Sequence, residues 1–576
     1  MSKVMDRVKA TPKSDWPVAK QSLQGPGRFF GLYGGEHIAA TEFVIGATLV
    51  GYGCSCFDIF VGLAIGNLLA TLTYRFLCAP IAVETRQSLY NYLRKIVGVN
   101  VQKIYNIVFG LGFATLSACG ICISACAIRN AFGIPTQLEW FPTDWRFVLI
   151  VIVLGGVIVF VAANGFDGVT RFATKCVPWM IAIFGLAFLV VMPQLSDAVG
   201  MGNIDSFDEV SRLFNEYIWA GKPGTGGQQL GIVHVAAFAW GVNTPLHFGL
   251  NDMAVFSHAK NKNYGFISAM GMFVGHYFAW IAAGVLGATA AFLLNTDLSL
   301  LDSGDVTFTV LGYSGLLAVV IAGWTTANPT IYRVSLCFNT VFKKLTYEKT
   351  VYLMGTLITI VACFPVVRSA NDVLTYLGDL VVGMGAVVIA EHFLFPKIGL
   401  TRYWNLYKNN KTNWPALISW AASLLFFVVM LIIRPENFHQ NFWFIPCFLI
   451  SFVLYIILAC FAGARQKYPE RQKEEDEYDA ALQKYADDQW DGLEKFKPSG
   501  LSKVLVVLCW LDIAAIIITG VLCFANVLNH DETILIVGIE TVLYFVMIIV
   551  SSILDGVKAA VDYKEEYGEG KRFTDH

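Results

Sequence analysis

The sequence predicts an all-α, polytopic membrane protein. Hydrophobic residues make up 56% of the 576 positions and charged residues only 15%. Mean hydropathy is +0.58, and apolar runs of about 20 residues, the length that crosses a bilayer, recur along the whole chain. This composition lies outside the soluble globular range. The formal net charge of -2 says little by itself, because in a membrane protein the loops that hold the positive charges carry the information. Nothing in the pattern suggests a nucleic-acid surface.

Fourteen runs qualify as spans, near 36–54, 58–80, 104–132, 145–163, 172–193, 230–250, 264–294, 309–332, 350–368, 373–396, 413–433, 442–463, 501–527 and 532–556. The loops between them alternate in charge. Arg86, Arg94, Lys95 and Lys103 lie in one, Arg171 and Lys175 in another, then Lys260 and Lys262, then Arg333, Lys343, Lys344 and Lys349, then Lys397, Arg402, Lys408 and Lys411. The intervening loops are short or acidic, with Glu139 and Asp144, then Asp197, Asp205, Asp208, Glu209 and Glu216, then Asp297, Asp302 and Asp305. Positive loops face the cytoplasm, so the chain is expected in the cell membrane with both termini inside.

Residues 1–35 are polar, contain Pro12, Pro17 and Pro26, and lack the apolar core of a signal peptide. They read as a cytoplasmic tail. Residues 464–500 form a mixed-charge, helical insertion that the same alternation puts inside the cell. It is either a solvated connector to the last two spans or a surface for a cytoplasmic protein partner. Most of the 13 cysteines, Cys54, Cys119, Cys122, Cys126, Cys363 and Cys523 among them, fall in or beside apolar runs without zinc or redox spacing. They read as reduced packing residues.

The eighth run carries Ala322-Gly323-Trp324-Thr325-Thr326-Ala327-Asn328-Pro329. On a helix, Ala322, Thr325 and Thr326 stand at i, i+3 and i+4, so one carbonyl and two hydroxyl oxygens share a face. Oxygen-only ligands suit a hard cation. Pro329 has no N–H and deprives the Thr325 carbonyl of its intrahelical partner. A threonine pair is otherwise a packing feature, bonded back to its own helix.

The first run contains Glu42 and Gly46. Gly46 permits an unwound backbone whose carbonyls hold a cation. A carboxylate inside a membrane helix is costly and by default functional. Glu42 is therefore a proton-coupling group or a ligand for a solute N–H, unless the span starts later and Glu42 lies at the membrane surface. The sixth run holds Trp240-Gly241-Val242-Asn243-Thr244-Pro245-Leu246-His247, an aromatic ring beside amide, hydroxyl and imidazole groups at a helix break. A planar heterocycle uses that mixture. Trp240 and His247 also fit ordinary packing and structural roles.

Four motifs in order carry a resemblance. They are Ile65-Gly66-Asn67-Leu68-Leu69 with Glu84-Thr85 and the stretch from Arg94 to Gly98, then Asn251-Asp252-Met253-Ala254-Val255-Phe256, then Gly323-Trp324-Thr325-Thr326-Ala327-Asn328, then Gly385-Ala386-Val387-Val388-Ile389-Ala390-Glu391-His392. Over roughly 36–396 the chain resembles the nucleobase:cation symporter-1 family, and most closely its cytosine permease branch. The resemblance implies a LeuT-like five-plus-five inverted repeat, spans 1–10 over 36–396, with broken first and sixth helices around a midplane site. Two helices lie behind it over 397–463, and spans 13 and 14, within 501–576, lie outside it. It also implies sodium at Ala322, Thr325 and Thr326, and a solute held by side chains of the first, third, sixth and eighth spans. Here those are Glu42, Phe113, Ser117, Trp240, Asn243, His247 and Asn328. The family stacks its base between aromatics on the third and sixth helices, whereas this chain aligns Leu116 and Asn243 there. Phe113 or Trp240 substitutes after a shift of one turn, or the solute is not a cytosine-like base.

The expected function is cation-coupled import of a small nitrogenous solute, a nucleobase such as cytosine or a purine or a related heterocycle first. The coupling ion is sodium, with a proton as the alternative, and no other cofactor is expected. A symporter of a non-aromatic solute such as an amino acid and a transporter-derived sensor are the competing readings. The nine histidines form no recognisable metal-spaced cluster and no phosphate-loop motif occurs, so neither an enzyme nor an ATP-driven pump is expected.

Overall fold

The computed structural model describes residues 2–39, 41–137, 139–222, 229–296, 301–365, 370–490 and 498–567. Every regular element among them is a helix. Eleven of these helices are long and apolar enough to cross a membrane. Spans 1, 6 and 9 are shorter and complete the expected fourteen. Span 1 is split into Pro26–His37 and Thr41–Gly51, span 6 is Ile232–Val242 followed by a loop and the single turn Met253–Phe256, and span 9 is Tyr347–Ala362.

The remaining spans are Cys56–Thr85, Leu89–Ala131, Trp145–Ala162, Gly165–Ala198, Lys262–Leu293, Ser303–Val341, Asp372–Ile398, Trp414–Ile433, Gln440–Ala464, Gly500–Phe524 and one within His530–Tyr567. Spans 3 and 8 begin earlier than hydropathy suggests. Gly98 (φ 76°) and Gly312 (φ 56°) have non-helical backbone and kink the chain, so a short preceding helix joins each span directly at an angle. Span 1 also starts earlier, at Pro26, a proline in the first turn where its missing N–H costs nothing. Residues 26–35, expected in the tail, are therefore part of the first half-helix. The ends of the predicted ninth span, 366–368, lie outside the described residues.

Spans 3 and 8 pack along each other, with Ser124 Oγ on span 3 donating to the Val320 carbonyl of span 8 at 3.0 Å. The outer half of span 1 lies on span 7, where a Cβ on Gly46 would come 2.6 Å from the Gly284 nitrogen. Spans 13 and 14 lean on span 5. Trp179 Nε1 donates to Thr541 Oγ1 at 3.3 Å, and the Tyr544 hydroxyl donates to the Lys175 carbonyl at 2.7 Å.

The charged insertion contains the helix Pro469–Asp488, which packs against the N-terminal segment and straps it down. Arg7 forms a two-pronged pair with Glu475 (2.7 and 2.8 Å), while Arg86 binds Asp487 at 2.6 Å and Lys95 binds Asp479 at 2.5 Å. Part of its acidic side is thus engaged by the chain's own basic residues.

Close backbone approach positions the helix break of span 6. A Cβ on Gly385 of span 10 would fall 1.7 Å from the Phe248 carbonyl oxygen. Gly385→Ala is expected to destabilise the protein by roughly 1–3 kcal/mol or more, read as a lower melting temperature in detergent. Gly156→Ala, whose Cβ meets nothing within 4 Å, should melt like the parent.

Candidate functional site

Spans 1 and 6 both lose helical pairing at the same depth, and buried backbone there must find partners inside the protein. In span 6 the loop supplies them. The Pro245 carbonyl accepts from the Asn251 backbone N–H at 3.2 Å and from Asn251 Nδ2 at 2.5 Å, and Gly249 N donates to the Thr244 carbonyl at 2.6 Å. In span 1 one helix ends at His37 and the next begins at Thr41, and the Glu36 carbonyl lies against span 8. Thr326 Oγ1 lies 3.4 Å from that carbonyl and donates to the Ala322 carbonyl at 2.9 Å. Thr325 Oγ1 donates to Ile321 and Ala322 carbonyls at 3.0 and 3.1 Å. Both hydroxyls bond back to their own helix, and their remaining lone pairs share one neighbourhood with the Ala322 and Glu36 oxygens.

Beside this oxygen cluster is a cavity of about 50 Å³, measured as the space open to the centre of a water-sized body. Spans 1, 3, 6, 7, 8 and 10 line it. Glu42, Phe113, Asn243 and Thr326, expected at the site, are all on its wall, as is Leu116. Glu42 is only 2% exposed, so it is an interior carboxylate and not a surface one.

Two histidines absent from the expected set, His37 and His276, also line the cavity, their rings 4.8 Å apart. Their hydrogen bonds set their tautomers. His37 Nδ1 lies 2.9 Å from the Tyr33 carbonyl and must donate to it, which leaves Nε2 a bare acceptor. His276 Nδ1 accepts from Asn243 Nδ2 at 2.8 Å, so its Nε2 carries the proton and lies 3.8 Å from Glu42 Oε1. Glu42 Oε2 and His37 Nε2 are buried without partners. The wall therefore presents two unpartnered acceptors, with the His276 Nε2–H, 3.8 Å from Glu42 Oε1 and beyond hydrogen-bond range, as a donor beside them.

The other expected residues face elsewhere. Ser117 Oγ donates to the Phe113 carbonyl at 2.8 Å, within its own helix. Trp240 points toward spans 2 and 12, its indole N–H donating to Thr73 Oγ1 at 3.2 Å and its ring 5.6 Å from Phe444. His247 lies within the break and donates from Nε2 to the Trp240 carbonyl at 2.9 Å. Asn328 faces span 4, its amide oriented to donate to the Ile158 carbonyl and accept from Trp324 Nε1, each at 3.0 Å. Gly46 lies inside the outer half-helix; the unwound backbone of span 1 comes before it, at the His37–Thr41 junction. Of the two aromatic substitutes, Phe113 reaches the cavity and Trp240 does not.

Below the cavity lies a buried charge cluster. Arg333, which the sequence counts among the cytoplasmic loop charges, is fully buried inside span 8 because its helix runs on to Val341. Its guanidinium binds Glu36 of span 1 (2.6 and 3.1 Å) and Asp252 of span 6 (2.5 Å). The Tyr33 hydroxyl donates to the other Asp252 oxygen. The sequence holds a signal for this triad only in hindsight: opposite charges close to the inner ends of three spans.

Arg333→Met strands two buried carboxylates and is expected to cost about 3–5 kcal/mol, seen as a lower melting temperature. Adding Glu36→Gln and Asp252→Asn to that variant should restore much of the loss.

The chain's fold is similar to that of solved transporters. Mhp1, a nucleobase-cation-symport-1 family transporter, in a closed conformation with bromovinylhydantoin bound, matches with a TM-score of 0.61 at 15% identity, over 82% of this chain and 99% of that one. Inward-facing Mhp1 matches with a TM-score of 0.58 at 14% identity, over 81% and 97%. A Na+-coupled sialic acid symporter in a substrate-bound, outward-open state matches with a TM-score of 0.55 at 15% identity, over 78% and 94%. No family model and no curated protein sequence matches the chain. At these identities the likeness establishes the fold, an all-helical inverted-repeat transporter architecture of the LeuT type.

Proposed function

We propose that this protein is a cation-coupled secondary transporter of the nucleobase:cation symporter type, importing a small neutral solute that presents N–H donors, a nucleobase or related heterocycle first. The observation that carries this reading is the pair of unpartnered acceptors, Glu42 Oε2 and His37 Nε2, in a cavity bordering the Thr326–Glu36 oxygen cluster. An unpaired buried acceptor costs about 1–3 kcal/mol. A solute N–H relieves that cost, whereas a carboxylate solute would meet further acceptors. Phe113 offers one aromatic face for a ring. The fold likeness to cation-coupled symporters supports the coupling.

In this mechanism a sodium ion draws together the Ala322 and Glu36 carbonyls and the Thr325 and Thr326 hydroxyls, joining span 8 to the break of span 1. The solute then bridges Glu42, His37 and Phe113 across the same break. Each ligand favours the state in which these elements are close, and release to the cytoplasm requires the inner half-helices to leave Arg333. The proposed orientation keeps the strap helix and both termini in the cytoplasm, with the protein in the cell membrane. A non-aromatic N–H donor is the second reading, favoured by Leu116 and Asn243, neither of which stacks on a ring.

Uptake into proteoliposomes tests this. Thr325→Ala with Thr326→Ala should raise the sodium concentration for half-maximal uptake about tenfold or more, equivalent to about 1.4 kcal/mol. An unchanged sodium dependence overturns the cation assignment. Glu42→Gln exposes an amide donor beside the solute and should weaken solute binding at least about tenfold. A stabilisation screen across nucleobases, hydantoins, allantoin and amino acids, with and without sodium, identifies the solute class. Accumulation against a gradient excludes a pure sensor.

A further inference from the structure

A second cavity lies where the outer half of span 6 ends, away from the solute site. It is lined by Gly241 and Val242 at the end of that half-helix, by Thr375 and Asp379 of span 10, and by Gln440 and Asn441 at the start of span 12. Asp379 is 1% exposed and Asn441 3%. Asp379 Oδ2 and Asn441 Oδ1 are both buried without a hydrogen-bond partner. The Asn441 amide is oriented by its other end, since Nδ2 donates to the His234 carbonyl at 3.3 Å. That leaves the oxygen as the free group.

The surroundings are acceptors. The C-terminal end of Ile232–Val242 carries the negative end of a helix dipole. Its backbone comes close to span 10 at Gly378, where a Cβ would lie 3.5 Å from the Gly241 carbonyl oxygen. Among the described residues the salt bridges of Arg, Lys and His go to other carboxylates, and none goes to Asp379. An ionised Asp379 therefore needs a cation. A protonated one would turn its hydroxyl to the acceptors of the same cavity, Asn441 Oδ1 among them, and proton uptake separates that state from an ion-bound one. The cavity holds about 10 Å³ of space for a water-sized centre, close to the minimum for one water molecule. A bare monovalent ion fits this space, and a hydrated one does not. Oxygen donors at a half-helix C-terminus are a recurrent way to bind sodium inside a membrane.

We infer that Asp379 and Asn441, with the carbonyl end of Ile232–Val242, form a second sodium site, separate from the one at Thr325 and Thr326. An ion here ties span 10 to the outer half of span 6, the pair that flanks the solute cavity through Leu374 and Val242. The ion's part in transport rests on the proposed coupling, whereas its binding does not.

Equilibrium binding of radioactive sodium to the purified full chain in detergent, without solute, is the test. The parent should bind one more sodium ion than Asp379→Asn, a near-isosteric change, and one more than Asn441→Ala. Thr325→Ala with Thr326→Ala should lose the other ion, and combining it with Asp379→Asn should abolish binding. Melting temperature verifies that each variant is folded. Parent-like sodium binding by both Asp379→Asn and Asn441→Ala overturns the inference. So does a result in which Asp379→Asn changes only proton uptake, measured in weak buffer, which would make Asp379 a proton site. If the threonine variant keeps both ions while Asp379→Asn loses one, the second site stands and the Thr325–Thr326 assignment fails.

Discussion

One guanidinium holds the inner half of this protein together. Arg333 has no exposed surface and reaches span 1 through Glu36 and span 6 through Asp252. The elements it holds are weak alone. Met253–Phe256 is a single turn, too short to be stable without tertiary contacts. A buried charge triad contributes little to net stability, because desolvation consumes most of the Coulomb attraction. Its value is geometric: three elements converge at one point, and the solute cavity and the oxygen cluster lie directly above it. Two carboxylates share one cation, so the Tyr33 hydroxyl on Asp252 and the fork of Arg333 on Glu36 compensate the excess negative charge.

The fold was largely legible because the membrane imposes it. Apolar length and loop charge are one-dimensional quantities, and both follow directly from the chain. Of the cavity wall, Glu42, Phe113, Asn243 and Thr326 were legible, since polar groups and small hydroxyls inside apolar runs are expensive unless used. Trp240, His247, Ser117, Asn328 and Gly46 were not. A helix break resets the angular phase for His247 and Gly46, which lie in or beyond one, whereas Ser117, Trp240 and Asn328 lie on continuous helix and take its other faces. Trp240 lies inside Ile232–Val242 and turns to Thr73 and Phe444, whereas Asn243, the residue that caps that helix, bonds to His276. Arg333 was misread for another reason: hydropathy ends where charges begin, but the helix does not. His37 and His276 carry no spacing signal, because they meet across two spans whose pairing only the fold provides.

The two cavity histidines show how much the second bond of an imidazole decides. His37 spends its proton on a carbonyl and so offers a lone pair to the cavity. His276 spends its lone pair on Asn243 and so offers its proton to Glu42. Identical side chains thus act as acceptor and donor a few ångströms apart. Asn243, aligned with an aromatic position of the resembled family, fixes the second of these choices.

The strap helix differs from Arg333 in one respect. Its ion pairs, Arg7–Glu475 and Lys95–Asp479 among them, are partly open to water, and salt weakens such pairs over a screening length of about 8 Å at physiological ionic strength. The buried triad is shielded from that effect. The half-helix Pro26–His37 is thus held by a dry fastening that depends only on the protein, and the segment before it, through Arg7, by a wet one whose grip follows the ionic strength of the fluid around it.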